Sequence, residues 1–339
     1  MLIGMYHNRL DPNKVSRAYL YQAIAKVEDV EFFYFISSGV NFESKTIKGK
    51  YYKDGNWLNK VFPFPDVIIN AANPRTKEQE KIKNKLKTLV PFTSQPVGSK
   101  VFVYDKIIKG EVYKENIIPY KQIGSLNDVF NFLNNYSKVI IKPIRGHHGD
   151  NVLFIERVGE NFLVREKKKE MKVTRNNLEY FLESRLSGKL MLVQKYINSR
   201  LKNNNPFDFR VHMQKDGKGE WNITLIIPRV GSSSRIITNI SQGSQMAEFD
   251  MFLYNEFNNP VALKKKLETF AMEFTKHFES LYDYKFDELG IDIGLDEFQN
   301  IWIYEVNYRP GHVFIEVITA RNAIGYAKYL AKLNKGEIK

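Results

Sequence analysis

The residues best suited to chemistry lie near the C-terminus, where Gly290-Ile291-Asp292-Ile293-Gly294 precedes Ile301-Trp302-Ile303-Tyr304-Glu305-Val306-Asn307. Residues two apart in a strand share a face, so Glu305 and Asn307 emerge side by side. The same alternation puts Ile301 and Ile303 with them and turns Trp302, Tyr304 and Val306 the other way. If Leu289–Leu295 and Asn300–Val306 pair as a hairpin turning at Asp296–Gln299, Asp292 approaches both polar side chains. Two carboxylates and an amide oxygen suit a hard cation such as Mg²⁺, which keeps coordination positions for water and phosphate oxygens. The plain alternative is an ordinary polar strand edge.

Two further groups carry weaker signals. Lys142-Pro143 ends an apolar strand (Lys138–Pro143) directly before Gly146-His147-His148-Gly149. A lysine there can place its ammonium on phosphate, and glycines let backbone N–H groups approach phosphate oxygens. The spacing is not that of a Walker loop, and by itself it reads as a β-turn. Asp208-Phe209-Arg210 opens a strand, Arg229 closes the next, and Asn239-Ile240-Ser241-Gln242-Gly243 follows. Arginines at strand ends can neutralise phosphate or a developing acyl phosphate. Singly, each is more often a surface ion-pair partner.

The elements that must position these groups follow from periodicity. Leu2–Tyr6, Val30–Ser37 and Asp66–Ala71 are short apolar strands, with helical spacing over Val15–Val27 and Thr76–Leu89. That alternation predicts a small parallel sheet with covered faces. Gly4 stands alone after the first strand, so no nicotinamide fingerprint is present. Pro91, Pro96 and Gly98 mark a boundary. Helices are predicted at Val101–Ile108, Leu126–Asn134, Arg175–Leu186, Pro260–Leu281 and Glu316–Leu333. Strands are predicted at Val152–Ile155, Leu190–Ile197, Phe209–Gln214 and Trp221–Arg229, the last two joined by Lys215–Gly219.

The succession of lysines, glycine loop, paired arginines and Asp…Glu-x-Asn hairpin resembles the ATP-grasp enzymes, and more narrowly the YheC/YheD group, often labelled endospore coat-associated. The resemblance covers roughly residues 96 to 335 and is strongest at Leu289–Asp292 and Ile301–Gly311. It implies an α/β and α+β architecture, with two α+β lobes holding ATP between them after a small Rossmann-like lobe. The lobes would be residues 1–95, 96–190 and 191–339. It further implies Lys106 and Lys142 as nucleotide lysines, and Gly146, His147, His148 and Gly149 in a loop over the β- and γ-phosphates. Gln194, Lys195, Tyr196 and Ile197 would form the hinge that reads adenine. Arg210, Arg229 and Asn239 would sit beside the transferring phosphoryl group, and Asp292, Glu305 and Asn307 would hold Mg²⁺. The sequence departs from the family pattern at His147-His148, where small residues are common, and at Lys195, where an acidic residue is frequent. The implied cofactors are ATP and Mg²⁺. The implied reaction joins a substrate carboxylate, small molecule or peptide, to an amine acceptor through an acyl phosphate. The alternative is a spore-coat-associated structural or nucleotide-binding protein without catalysis.

Composition bounds the remaining classes. The 339 residues carry 43% hydrophobic and 14% aromatic side chains, enough for packed cores. No apolar run approaches the roughly 20 residues of a membrane span. The N-terminus lacks the basic start and apolar centre of a secretory signal, so the cytoplasm is the expected location, with spore association as the variant. With no cysteine there is neither a disulfide framework nor a thiolate metal site. The net charge of +13 attracts anions of every kind, but no zinc finger, basic zipper or aromatic RNA-binding signature accompanies it. Nucleic acid is therefore not the expected partner. The densest charged run, Arg165–Lys172, alternates in sign and reads as a solvated loop or helix face.

Overall fold

The computed structural model describes residues 1–144, 151–166, 169–232, 245–311 and 316–338. Three sheets follow one another along the chain. The first contains β1 (Leu2–Tyr6), β2 (Glu31–Phe35), β3 (Val40–Asn41), β4 (Thr46–Lys53), β5 (Asn56–Pro63) and β6 (Val67–Asn70). Its spatial order is β3-β4-β2-β1-β6, with β5 pairing β4. The β2-β1-β6 centre is parallel, as the apolar strands predicted. The β4–β5 hairpin turns at Asp54-Gly55, both with positive φ, a geometry that Asp-Gly accepts at little cost. Helix α1 (Ser16–Val27) covers one face, and α2 (Lys77–Lys87) follows the last strand with Thr76 as its N-cap.

Between the first and second sheets lies α3 (Lys100–Lys109), capped by Ser99. The second sheet has the order β11-β10-β9-β8-β12-β7. Its strands are β7 (Tyr120–Gln122), β8 (Lys138–Pro143), β9 (Leu153–Val158), β10 (Asn161–Glu166), β11 (Lys169–Val173) and β12 (Met191–Lys195). Helices α4 (Leu126–Tyr136) and α5 (Arg175–Leu186) bury Val129, Phe130, Leu133, Leu178 and Leu182 against it. The expected boundary after residue 190 falls at the start of β12, which hydrogen-bonds into this sheet. The described residues of the charged run, 165–166 and 169–172, belong to the strands β10 and β11, with Arg165 paired to Glu170, rather than to a loop or helix face. Period-2 alternation of exposed charge on a hairpin explains it.

The third sheet, β15-β14-β13-β16-β17, is antiparallel throughout. It is built from β13 (Phe207–Lys215), β14 (Trp221–Val230), β15 (Gln245–Met246), β16 (Glu288–Leu295) and β17 (Ile301–Tyr308). One face packs on α3, α6 (Phe249–Glu256) and α7 (Pro260–Ser280) through the largest core of the molecule. The final helix, α8 (Glu316–Asn334), returns to the first lobe. Its Ala320, Ile324, Ala327 and Ala331 stripe packs on Ala18, Tyr21, Ala25 and β1. No described helix is long and apolar enough to cross a membrane.

One local feature revises the expected facing of β17. The register with β16 slips between Asp292 and Ile293, so that Tyr304 is an extra residue. A bulge of this kind inverts the alternation beyond it. Ile301 and Ile303 therefore join Val306 in the core, contrary to the simple alternation read from sequence. Trp302 pairs with Gly294, on the same face as Asp292, and thus lies on the site side.

Candidate functional site

Asp292 sits in the middle of a transverse row. It is the direct cross-strand partner of Arg210 on β13 and of Glu305 on β17, and Gly290 partners Asn307. Directly opposed residues point to one face with Cβ atoms about 4.5–5.5 Å apart. Arg229 on β14 opposes Asp208, two residues before Arg210, and so shares that face. Alternation along β16 sends Leu289, Ile291, Ile293 and Leu295 into the core and leaves Gly290, Asp292 and Gly294 on the site face. The two glycines make room there. A Cβ at 290 would lie 2.7 Å from the Pro310 Cβ, and one at 294 would lie 2.1 Å from the Tyr304 hydroxyl.

Three carboxylates and three cations interlock on this face. Arg210 donates from Nε and Nη2 to the two oxygens of Asp292, the latter at 2.9 Å. Arg229 donates to both oxygens of Asp208 at 2.6 and 2.7 Å and approaches Asp292 Oδ2 at 3.3 Å. Lys100, at the start of α3, pairs with Glu305 at 2.8 Å. Burial alone would raise the Asp292 pKa, but the Arg210 and Arg229 guanidiniums hold it below the usual carboxylate range. Burial also works against the charge on Arg229, and Asp292 and Asp208 more than offset it. The Asp292 carboxylate is thus held ionised, and cations orient both carboxylates of the expected metal set.

Lys142 reaches the same place from the second sheet. Its Nζ donates to the Tyr104 hydroxyl at 3.3 Å, and that hydroxyl donates to the Tyr304 carbonyl at 2.5 Å. Burial pushes the Lys142 ammonium down to about 8, partly countered by the charge of Glu305. A cation short of solvation and of a full counter-ion is poised for an incoming anion. Gln194, opposite Ile140 and diagonal to Lys142 in the β8–β12 pairing, is buried, and its Nε2 has no hydrogen-bond partner among the described residues. Lys195 lies over the rings of Trp302 and Tyr136 at 5.4 and 5.7 Å. The Lys195 and Tyr196 backbone N–H groups donate to the carbonyls of Pro119 and Lys138, and Ile197 is buried just beyond.

Lys106 is placed elsewhere. Its ammonium donates to the Leu281 carbonyl at 2.7 Å and lies over the Tyr282 ring, on the far side of α3 from Glu305. Lys100 and Tyr104, four residues apart on one helix face, are the α3 side chains that reach Glu305 and Lys142. Sequence reading did not single them out, although Ser99-Lys100 carries the capping signal that sets the helix phase. Gly146, His147, His148, Gly149 and Asn239 lie outside the described residues.

Comparison with known proteins settles the family. A family model for YheC/D-like ATP-grasp proteins matches residues 89–330, well over half the chain. The chain belongs to the YheC/D-like ATP-grasp family. The endospore coat-associated protein YheD of Bacillus subtilis is 24% identical over 320 residues, 88% of this chain and 70% of that protein. Among solved structures, N5-carboxyaminoimidazole synthetase from Staphylococcus aureus, complexed with ADP, matches with a TM-score of 0.58 at 9% identity. That match covers 96% of this chain and 77% of the synthetase. The ATP-grasp ligase PsnB, complexed with a precursor variant, Mg and ADP, matches at 0.54 and 11% identity, covering 98% of each chain. These likenesses establish the ATP-grasp fold, with its two α+β lobes following a parallel-sheet lobe.

In this ATP-grasp protein the site face supplies a workable set of metal donors. Among the described residues no three His, Cys, Asp or Glu side chains are grouped to hold an ion. The candidate set is therefore Asp292, Glu305 and the Asn307 amide. Opposed strand positions bring the three onto one face, and Asp292 Oδ1 and Glu305 Oε1, each engaged by one cation, retain a second lone pair, whereas Asp292 Oδ2 faces both arginines. Such a sparse oxygen set fits Mg²⁺, which draws its other ligands from phosphates and water.

Proposed function

We propose that this chain is an ATP-dependent carboxylate–amine ligase that works between its second and third sheets. The observation that carries the reading is the convergence of Lys142, Lys100, Arg210 and Arg229 on Asp292 and Glu305, with Asn307 alongside. Cations in excess over carboxylates around a candidate metal set match a polyphosphate, and the ADP complexes of two fold neighbours support the same ligand.

In this reading Lys142 and Lys100 neutralise phosphate oxygens, and the hinge at Gln194–Ile197 receives the base. Asp292, Glu305 and Asn307 would hold Mg²⁺, which when bound neutralises the β- and γ-phosphates. An oxygen of the substrate carboxylate attacks the γ-phosphorus, the bond from that phosphorus to the bridging oxygen breaks, and ADP leaves. The amine then attacks the acyl carbon, phosphate departs with the bonding pair, and the amine loses a proton. No side-chain nucleophile is needed, as expected where catalysis is positioning and charge stabilisation. Arg210 and Arg229 spend Nε and Nη2 on Asp292 and Asp208. Each keeps an Nη1 edge unengaged by the described residues, available to the developing acyl phosphate. Release of ADP and phosphate from Mg-ATP, stimulated by pooled carboxylates plus amino acids, tests the assignment. Absence of stimulation across acids and amines, with nucleotide bound, counts against a ligase. The printed name of YheD supports a second reading, coat association without turnover, and that result would favour it.

A further inference from the structure

The first lobe carries a second cationic centre, separate from the interlocked face. Parallel sheets bind ligands at the carboxyl ends of their strands. Here that edge holds His7 after β1 and the segment from Ala71 to Arg75 after β6. Helix α2 sets Gln79, Lys83 and Lys87 along one stripe, four residues apart, over the same edge. Gln79 fixes the Arg75 backbone N–H at 2.8 Å. Lys83 is only 6% exposed, and among the described residues its ammonium has no partner beyond the Ala72 carbonyl at 3.4 Å and the Tyr6 ring at 5.8 Å.

Arg309 closes the cluster from the third sheet. It adopts φ of 50°, uncommon for a side chain of its size, and donates to the Asn70 carbonyl at 3.3 Å and to Asn73 Oδ1. It stands two residues beyond Asn307, about 7 Å along the chain at strand spacing. Arg9, Arg17, Arg75 and Arg309 all bear electrostatically on His7, and Arg309 bears on both Lys83 and Lys87. None of these cations is in an ion pair with a carboxylate among the described residues. Asp11, the one acid in residues 1–27, is spent on its own turn, accepting from the Asn13 backbone N–H at 3.0 Å. Glu78 and Glu80 are on the exposed side of α2. Burial, with Arg309 and Lys87 nearby, pushes the Lys83 ammonium down to about 7. Burying uncompensated positive charge is costly unless an anion completes the site.

We propose that this edge is an anion subsite that holds a second carboxylate of the substrate, so that the acid activated carries at least two carboxylates. One carboxylate lies among Lys83, Arg75, His7 and Arg309, and the other faces Arg210 and Arg229. The identity of the occupant rests on the ligase reading, while the subsite itself does not need nucleotide.

Calorimetric titration of the full chain with glutarate, with inorganic phosphate and with Mg-ATP tests it. Glutarate binds the wild type without nucleotide. Lys83→Met and Arg75→Gln each weaken it by about 10- to 100-fold, the loss expected for one charge-assisted contact. Both variants bind Mg-ATP as the wild type does. Arg75 is exposed, so Arg75→Gln keeps the test interpretable if Lys83→Met fails to fold. Equal glutarate affinity in wild type and variants, or no glutarate binding at all, overturns the proposal. Binding of phosphate but not glutarate also overturns it, since the occupant is then not a carboxylate. Glutarate binding that depends on Lys83, in a chain that ignores Mg-ATP, upholds the subsite and removes the ligase reading instead.

Discussion

Asp292 and Glu305 are neighbours on one face, yet removing their charges should have unequal consequences for folding. Asp292→Asn keeps the shape but leaves Arg210 without a carboxylate and takes one of two from Arg229. Unpairing a buried ion pair costs about 3–5 kcal/mol. The lower end applies here, about 3 kcal/mol, because the Arg210 side chain is 22% exposed and Arg229 retains Asp208. Glu305→Gln removes a pair with Lys100 in which the glutamate is 27% exposed, and about 1 kcal/mol or less is expected. At about 2.1 cal/mol/K per residue, 339 residues give an unfolding entropy of about 0.7 kcal/mol/K. Asp292→Asn should then lower Tm by about 4 °C and Glu305→Gln by about 1 °C, measured by calorimetry without nucleotide. Stabilisation by Mg-ATP, about 2.7 kcal/mol at a hundredfold excess over Kd in the wild type, should fall to about 1.4 kcal/mol or less in both, the value for a tenfold weaker Kd. Equal Tm losses in the two variants, or a thermally neutral Asp292→Asn, would refute the idea that Asp292 ties β13, β14 and β16 together through charge.

Three further outcomes follow from the same geometry. Arg229→Ala should lower the rate of ADP release by about 10²–10³, read as kcat under saturating Mg-ATP, if its Nη1 edge meets the acyl phosphate. Lys142, pushed down to about 8 by burial, loses its proton as pH rises through that value. Nucleotide affinity should therefore fall above pH 8, by no more than about tenfold per unit, and Lys142→Met should abolish that fall. Asp287 is pushed up to about 7 by burial and then by Glu288, so the folded chain holds a proton that the unfolded chain has released. Its contribution to stability is lost as pH rises from about 4 to 7, with a slope of at most about 1.4 kcal/mol per unit. Asp287→Asn should flatten Tm against pH over that window.

The sequence made the main framework legible because its signals were local. Apolar runs defined β1, β2 and β6, and the apolar stretches of β16 and β17 with the Asp296–Gln299 turn between them defined the hairpin that carries Asp292, Glu305 and Asn307. What escaped depended on tertiary partners or on single-residue irregularity. The bulge at Tyr304 carries no propensity signal, yet it decides that Ile303 is core and that Trp302 faces the site. Lys106 and Lys100 are equally plausible in composition, and only the burial of Val103, Tyr104 and Ile107 fixes which face of α3 points at Glu305. The β4–β5 hairpin carries a turn signal in Asp54-Gly55, but its lysines mask the strand alternation on either side. The return of α8 to the first lobe rests on a contact across 300 residues, such as Lys328 with Glu28, which no window could contain.

The most direct test of the account is calorimetric binding of ATP with and without Mg²⁺, to the wild type and to Glu305→Gln. The account predicts that Mg²⁺ tightens ATP binding to the wild type at least tenfold and leaves binding to Glu305→Gln unchanged. ATP affinity that ignores Mg²⁺ in the wild type, or the same Mg²⁺ response in both proteins, would contradict it.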